Sequence, residues 1–541
     1  MQELMSITIG KLLEQVSDRF PLREAVKYTD RDYRRTWREF DEEVNRVAKG
    51  LMAHGIEKGD KVAIWASNTP EWMLTLFAAG KIGAVLVTVN TAYKMFEVEY
   101  LLRQSDSKLL VMMDSFKGSS YVDIMGEIPR AMLPCLTEIV YTGEGSTPEG
   151  MTSWARLMED GSTISDEELR RRHDTVDPHD VVNMQYTSGT TGFPKGVMLT
   201  HYNIINNGKS IGDCMKFTEQ DKLCIVVPFF HCFGLVLAMM ACLTHATAMV
   251  PVDIYSPTKV MDALMNEGCT AVHGVPTMFI AMLEHKDFPK YSFPKLRTGI
   301  MAGSPCPIKV MRQVVEQMNM REITITYGQT EASPATTMTT TDDSIELRVS
   351  TVGRAMPFVE TKIVDPETGE ALPAGATGEF CSRGYNTMKG YYKMEEATRQ
   401  VIDEDGWLHS GDLATVDENG YYKITGRIKD MIIRGGENIY PKEIEEYIYT
   451  IPQVKDVQVI GVPSKQYGEE VMACVILREG AQLTEEELRE LVRNHMARHK
   501  APKYIAFMEH FPMTASGKIQ KYRLREWAVE QYHLDSPETT A

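Results

Sequence analysis

Residues 186–196 read YTSGTTGFPKG. Thr187, Ser188, Gly189, Thr190, Thr191 and Gly192 form a run of small or hydroxyl side chains, with Lys195 behind it. Glycines let backbone N–H groups close around an anion, hydroxyls add donors, and the lysine adds positive charge. That chemistry is a cradle for polyphosphate. An ordinary Gly/Ser/Thr surface turn is the competing reading, and the density of the run tells against it. A Walker A loop is ruled out because Lys195 follows Pro194 and precedes Gly196, where a Ser or Thr belongs. Two near-matches fail as well: NGKS (207–210) has Asn203 where the leading Gly should be, and the lysine of ASGKIQ is followed by Ile. A P-loop kinase or ATPase is thereby disfavoured.

Such a loop needs a strand in front of it, and VVNMQY supplies one. Upstream, TWREFDEEVNRVAKGLMAHGI (36–56) has helical spacing, KVAIWA (61–66) reads as a strand, EWMLTLFAAGKIGA as a helix and VLVTVN as a further strand. This alternation predicts parallel sheets covered by helices, with ligands gathered at the carboxyl ends of the strands. From about residue 355 the texture changes to short strands and turns, predicting a β-rich subdomain. After GRIKDMIIRGGENIYP, strand-like VKDVQVIGVP and EEVMACVILREG precede the helix TEEELRELVRNHMARH and a last strand near KYIAFME. The expected class is α/β: a large N-terminal domain, 1–428, with parallel-rich sheets and a β-rich subdomain, and a small α+β C-terminal domain, 429–541. The boundary is expected in the polar turn at 426–430, where an exposed linker fits.

Composition limits the partners. The 541 residues exceed what one core of roughly 250–300 residues accommodates. With 43% hydrophobic and 25% charged residues the chain can bury large cores. A formal charge of −17 argues against general affinity for nucleic acid or anionic membrane, so an anionic substrate has to be met by local cations. Nine scattered cysteines without a C-x-x-C pair fit neither a disulfide framework nor a zinc ribbon. No apolar run reaches about 18 residues and no signal-peptide pattern opens the chain, which predicts a cytoplasmic protein without a membrane span. Composition is silent on whether it forms a homo-oligomer.

Four further segments accompany the loop: YGQTEASP (327–334), HSGDLA (409–414), GRIKDMIIRGGENIYPKEIEE (426–446) and PMTASGKI (512–519). In this order, and over essentially the whole chain, they resemble the motifs of the adenylate-forming superfamily of acyl- and aryl-CoA synthetases, peptide-synthetase adenylation domains and luciferases. The general impression is closest to medium- and long-chain fatty acyl-CoA ligases. The resemblance implies a two-step reaction: a carboxylic acid and ATP give acyl-AMP and pyrophosphate, then CoA takes the acyl group and AMP leaves.

The first step brings two anions together. Each charge pair at about 4 Å opposes it by about 1 kcal/mol in water and about 4 kcal/mol at an effective dielectric near 20, so cations and oriented dipoles are required. By resemblance, Glu331 is the Mg2+ ligand, a hard oxygen donor, and Thr330 bonds the α-phosphate. Tyr327 stacks on the adenine, with Gly303 and Ser304 lining the base's other side. Asp412 takes the ribose hydroxyls, Arg427 contacts ribose or phosphate, and Lys518 bridges the carboxylate and the α-phosphate. The resemblance also implies a mobile C-terminal domain that rotates between the two steps about a hinge at Lys429. Gly435 and Gly436 would let a thin pantetheine arm pass the backbone. His231, in PFFHCFG (228–234), matches the acyl-pocket wall, with a satisfied core histidine as the equal alternative. His495 and His499 stand four apart in the helical segment HMARHK, but without a third ligand they read as cations near a helix C-terminus. An adenylate-only enzyme, a carrier-protein acyl ligase and a non-catalytic nucleotide-binding protein are the alternatives.

Overall fold

The computed structural model describes residues 3–187, 194–303, 306–434, 437–514 and 519–534, with backbone alone at 437 and 438. Ser188, Gly189, Thr190, Thr191, Ser304, Gly435, Gly436 and Lys518 lie outside the described residues. The chain is α/β and divides into two compact units: Met1–Glu360 with Ser382–Leu408, and Thr361–Cys381 with His409–Ala541. The turn at 426–430, where the sequence places the domain boundary, falls inside the second unit.

Two large sheets organise the first unit. One has seven strands in the order Glu322–Thr324, Thr298–Ile300, Ala271–His273, Lys222–Ile225, Ala248–Pro251, Glu24–Lys27 and Arg34–Thr36, parallel except for the last pair. The other has eight: Gly390–Tyr391, Lys195–Thr200, Val181–Thr187, Val85–Thr88, Lys61–Trp65, Ser107–Met112, Glu138–Tyr141 and Thr152–Ser153. Its first three strands pair antiparallel and the rest run parallel. The expected alternation is present. Thr36 and Glu39 form a capping box that starts the helix Trp37–Ala53, and Gly83, at φ 73°, ends the helix Pro70–Ile82 before the strand Val85–Thr88. These strands and the helix Pro70–Ile82 are buried almost throughout, as expected for a sheet covered on both faces.

The second unit holds most of a four-stranded sheet, Val359–Val364, Gly378–Gly384, Leu408–Val416 and Tyr422–Arg427. It also holds a sheet built on the long antiparallel pair Val454–Ser464 and Gly468–Leu477, with Tyr504–Phe507 parallel to the latter. The expected long C-terminal helix stops at His495, where Met496 turns extended, and His499 sits in the separate 3-10 turn Arg498–Lys500. The two histidines therefore do not share a helix face; His495 stacks on Tyr447 at 4.0 Å. All nine cysteines are free thiols. Among the described residues no helix is long and apolar enough to cross a membrane.

Candidate functional site

Parallel strands end their backbone pairing at the carboxyl edge, which leaves a crevice there for side chains of the following loops. In the first unit several candidate residues follow the carboxyl ends of strands in the two large sheets. Thr187 is the last residue of its strand and pairs with Lys195 across the hairpin that carries the Gly/Thr-rich loop. The segment 228–231 follows the strand Lys222–Ile225, Gly303 follows Thr298–Ile300, and Tyr327 follows Glu322–Thr324. Gly303 takes φ 87°, and a Cβ there would press within 3.2 Å of Val275 Cγ1, so the glycine serves both the turn and the close approach. Tyr327 is fixed opposite Thr337 in a short antiparallel pair. The neighbouring Gly328 admits no side chain, because a Cβ would lie 1.8 Å from the Pro334 carbonyl oxygen.

Thr330 and Glu331 sit in the 3-10 turn Thr330–Ala332, followed by Ser333 at φ 69° and a cis Ser333–Pro334 bond. Long-range bonds hold this turn: Ser333 Oγ donates to the Asn386 carbonyl at 2.6 Å, and Asn207 exchanges side-chain bonds with the backbone of Ala335 at 2.8 and 3.0 Å. Thr330 is buried and Glu331 half-buried. The Tyr391 hydroxyl donates to Glu331 Oε1 at 2.8 Å, and the buried Lys195 ammonium lies 5.0 Å from the centre of the same ring. Burial and the neighbouring carboxylate push the Tyr391 hydroxyl well above its ordinary pKa, so it stays a donor. One tyrosine thus joins the foot of the Gly/Thr loop to the carboxylate of YGQTE. Oxygen donors of this kind, hard and anionic, suit Mg2+. Tyr391→Phe removes one charge-assisted bond, so, if Glu331 holds Mg2+ for ATP as the family resemblance implies, the Mg2+–ATP KM is expected to rise roughly tenfold. Steady-state pyrophosphate release checks this.

His231 is half-buried, and its Nδ1 accepts the Phe233 N–H at 3.1 Å, two residues on, where the π-helix Phe233–Met240 begins. Long π-helical stretches are rare and recur at functional sites. His273, which sequence reasoning passed over, anchors this helix: its Nε2 bonds the Leu237 carbonyl at 3.0 Å and its Nδ1 accepts the Ile300 N–H at 3.2 Å. Complete burial lowers its pKa to about 4, so the ring is neutral. The segment NGKS lies within the helix His201–Cys214, where Lys209 pairs with Asp213, and makes no phosphate loop.

In the second unit, Asp412 and Arg427 face each other across an antiparallel pair, with Arg427 Nε 3.2 Å from the Asp412 carboxylate. Lys429 is exposed in the 3-10 turn Ile428–Asp430 that follows. Among the C-terminal basic residues, Lys500 pairs with Glu443 at 2.7 Å and Lys503 lies 3.8 Å from Glu470, so both already face carboxylates.

Residues 13–392 match the AMP-binding enzyme family and residues 443–518 the AMP-binding enzyme C-terminal domain. YngI of Bacillus subtilis (strain 168), provisionally named an acyl-CoA synthetase, is 53% identical over 99% of this chain and 100% of its own length. The mitochondrial medium-chain acyl-CoA ligase ACSF2 of Danio rerio is 40% identical over 98% of this chain and 90% of its own. Among solved structures, ATP-bound MatB from Rhodopseudomonas palustris superposes with a TM-score of 0.85 at 30% identity, covering 97% of this chain and 100% of that one. The anthranilate CoA ligase AuaEII with anthranoyl-AMP gives 0.86 at 26% identity, covering 98% and 99%. With both family signatures in order along it, the chain belongs to the AMP-binding enzymes.

Proposed function

We propose that this protein is an ATP-dependent acyl-CoA synthetase that activates a fatty acid of medium chain length as acyl-AMP and passes the acyl group to CoA. The observation that carries this reading is the full-length likeness to medium-chain acyl-CoA ligases, 40% identity over 98% of the chain. The Thr187–Lys195–Tyr391–Glu331 arrangement supports it, since it sets phosphate-binding and oxygen-donor groups side by side.

In the first step a carboxylate oxygen attacks the α-phosphorus and the bond to pyrophosphate breaks. The loop 187–195 holds the polyphosphate, and the Thr330 hydroxyl and Lys518 ammonium meet charge at the α-phosphate. Glu331, oriented by Tyr391, is the residue that would hold Mg2+, which when bound neutralises phosphate oxygens. Tyr327, Gly303 and Ser304 take the adenine; Asp412 and Arg427 take the ribose. The apolar run from Phe229 through the π-helix, with His231 at its head, forms the acyl wall. In the second step the CoA sulfur, having lost its proton to solvent, attacks the acyl carbon and AMP leaves, with Gly435 and Gly436 beside the pantetheine arm.

An acid panel of graded chain length with ATP, Mg2+ and CoA, read by product mass, tests the reading. AMP, pyrophosphate and a thioester peaking at medium chain length are expected. ADP would indicate a phosphotransferase, adenylate without thioester a different acceptor, and absence of pyrophosphate a binding protein. Within this scheme Lys429 is the hinge that lets the C-terminal domain serve each step in turn. Proline there fixes the backbone φ, so Lys429→Pro is expected to slow thioester formation roughly tenfold or more while pyrophosphate release stays near wild type. Equal loss in both steps removes Lys429 from the hinge.

A further inference from the structure

The second unit contains, among the described residues, one group of three side chains with the donors of a metal site: Glu379, Cys381 and His409. Glu379 and Cys381 are two apart on the strand Gly378–Gly384 and so share a face. His409 enters that face from the neighbouring strand Leu408–Val416. Their ligand atoms all lie within 4.8 Å of one another. His409 Nδ1 is 2.8 Å from a Glu379 oxygen and 3.5 Å from Cys381 Sγ.

We propose that these three residues bind a thiophilic divalent cation, Zn2+ foremost. With Zn–S near 2.3 Å and Zn–N or Zn–O near 2.1 Å, tetrahedral ligands stand about 3.6 Å apart for N and S and about 3.4 Å for N and O. The first spacing is present and the second requires His409 and Glu379 to part by about 0.6 Å. Cys381 is completely buried, whereas the Glu379 and His409 side chains are 12% and 31% exposed, so a cation has an approach and a water can complete the shell. Binding converts the Cys381 thiol to thiolate, releasing one proton to solvent, and moves the His409 proton to Nε2. Two anionic ligands then balance the dication. A mixed S, N, O set favours Zn2+ over Mg2+, which takes oxygen alone.

The location gives the site a consequence. The other Glu379 oxygen accepts the Gly411 N–H at 2.9 Å, one residue before Asp412. A captured cation would therefore fix the turn that carries the proposed ribose acid, a consequence that rests on the function proposed above, whereas the binding itself does not.

Titration of the nucleotide-free full chain with Co2+ tests the binding. The wild type is expected to develop a thiolate-to-cobalt charge-transfer band that saturates with a single bound ion and is displaced by Zn2+. Cys381→Ser is expected to lose the band, and His409→Gln to weaken Co2+ affinity by about tenfold or more. A wild type without the band, or a band that survives in Cys381→Ser, overturns the proposal. Should Cys381→Ser fail to fold, undiminished Co2+ affinity in both His409→Gln and Glu379→Gln overturns it equally.

Discussion

Replacing Lys518 by alanine is expected to slow acyl-AMP formation by roughly 100- to 1,000-fold, the usual effect of removing one preorganised charge from a transition state. The first step forces a carboxylate against a triphosphate, and the protein carries a net charge of −17, so its long-range field opposes the encounter. Local cations have to supply the difference. Lys195 is buried against Tyr391 and Arg427 is engaged by Asp412, so in both cases the charge is already partly committed. Under the proposed function, the lysine of PMTASGKI is the cation assigned, by the resemblance to adenylate-forming enzymes, to bridge the two reacting anions. Its removal strips an interaction made as the new bond forms, so kcat falls while the KM for ATP changes little. Supplying acyl-AMP directly bypasses the demand, and thioester formation from it is expected to stay within about threefold of wild type. Pyrophosphate release at the wild-type rate in Lys518→Ala would sink the adenylation mechanism.

Much of the architecture was legible because its signals are local. The segment 61–66 forms the strand Lys61–Trp65, and the segment 36–56 forms the helix Trp37–Ala53 behind a capping box that is itself visible as T-x-x-E. What escaped depends on distant partners. Tyr391 meets Glu331 from 60 residues away and Asn207 meets Ala335 from 128 away, and no periodicity carries such pairings. His273 resembles any strand-end histidine until its two backbone partners are known. HSGDLA was read for its aspartate, yet its histidine lies with Glu379 and Cys381, from a strand about 30 positions earlier. The helix expected over 484–499 stops at His495 because Met496 turns extended, which the helix-forming residues before it do not signal.

Lys81→Met is expected to destabilise the first unit by about 3–5 kcal/mol, the range for breaking a buried ion pair from one side. Lys81 is 1% exposed, and its ammonium lies 2.7 Å from Asp41, 2.6 Å from the Asn45 side-chain oxygen and 3.4 Å from Glu14. His173 completes the cluster 3.3 Å from Glu14, and Gly10 passes so close that a Cβ would lie 2.7 Å from both His173 and Lys81. The network therefore pins the helices Ile9–Arg19 and Trp37–Ala53 to Pro70–Ile82 through one cation. Methionine keeps the volume but leaves the half-buried Asp41 without its countercharge. Removing both charges, as in Lys81→Met with Asp41→Leu, is expected to recover most of the loss.

Acid separates the carboxylates. Desolvation raises the Glu14 pKa, but His173 and Lys81 outweigh it and bring it to about 2, below its ordinary 4.5. Its stabilising contribution is complete above 4.5 and is lost as the pH falls toward 2. Burial holds Asp41 above its ordinary 3.8 even with Lys81 present, and losing Lys81 raises it further. A raised acid is stabilised by protonation in the folded state, so the variant gains on wild type as the pH drops through that raised value toward 3.8. Urea midpoints at neutral and mildly acidic pH are therefore expected to converge. A gap between Lys81→Met and wild type that stays constant with pH would show that lost packing, not an uncompensated carboxylate, causes the instability.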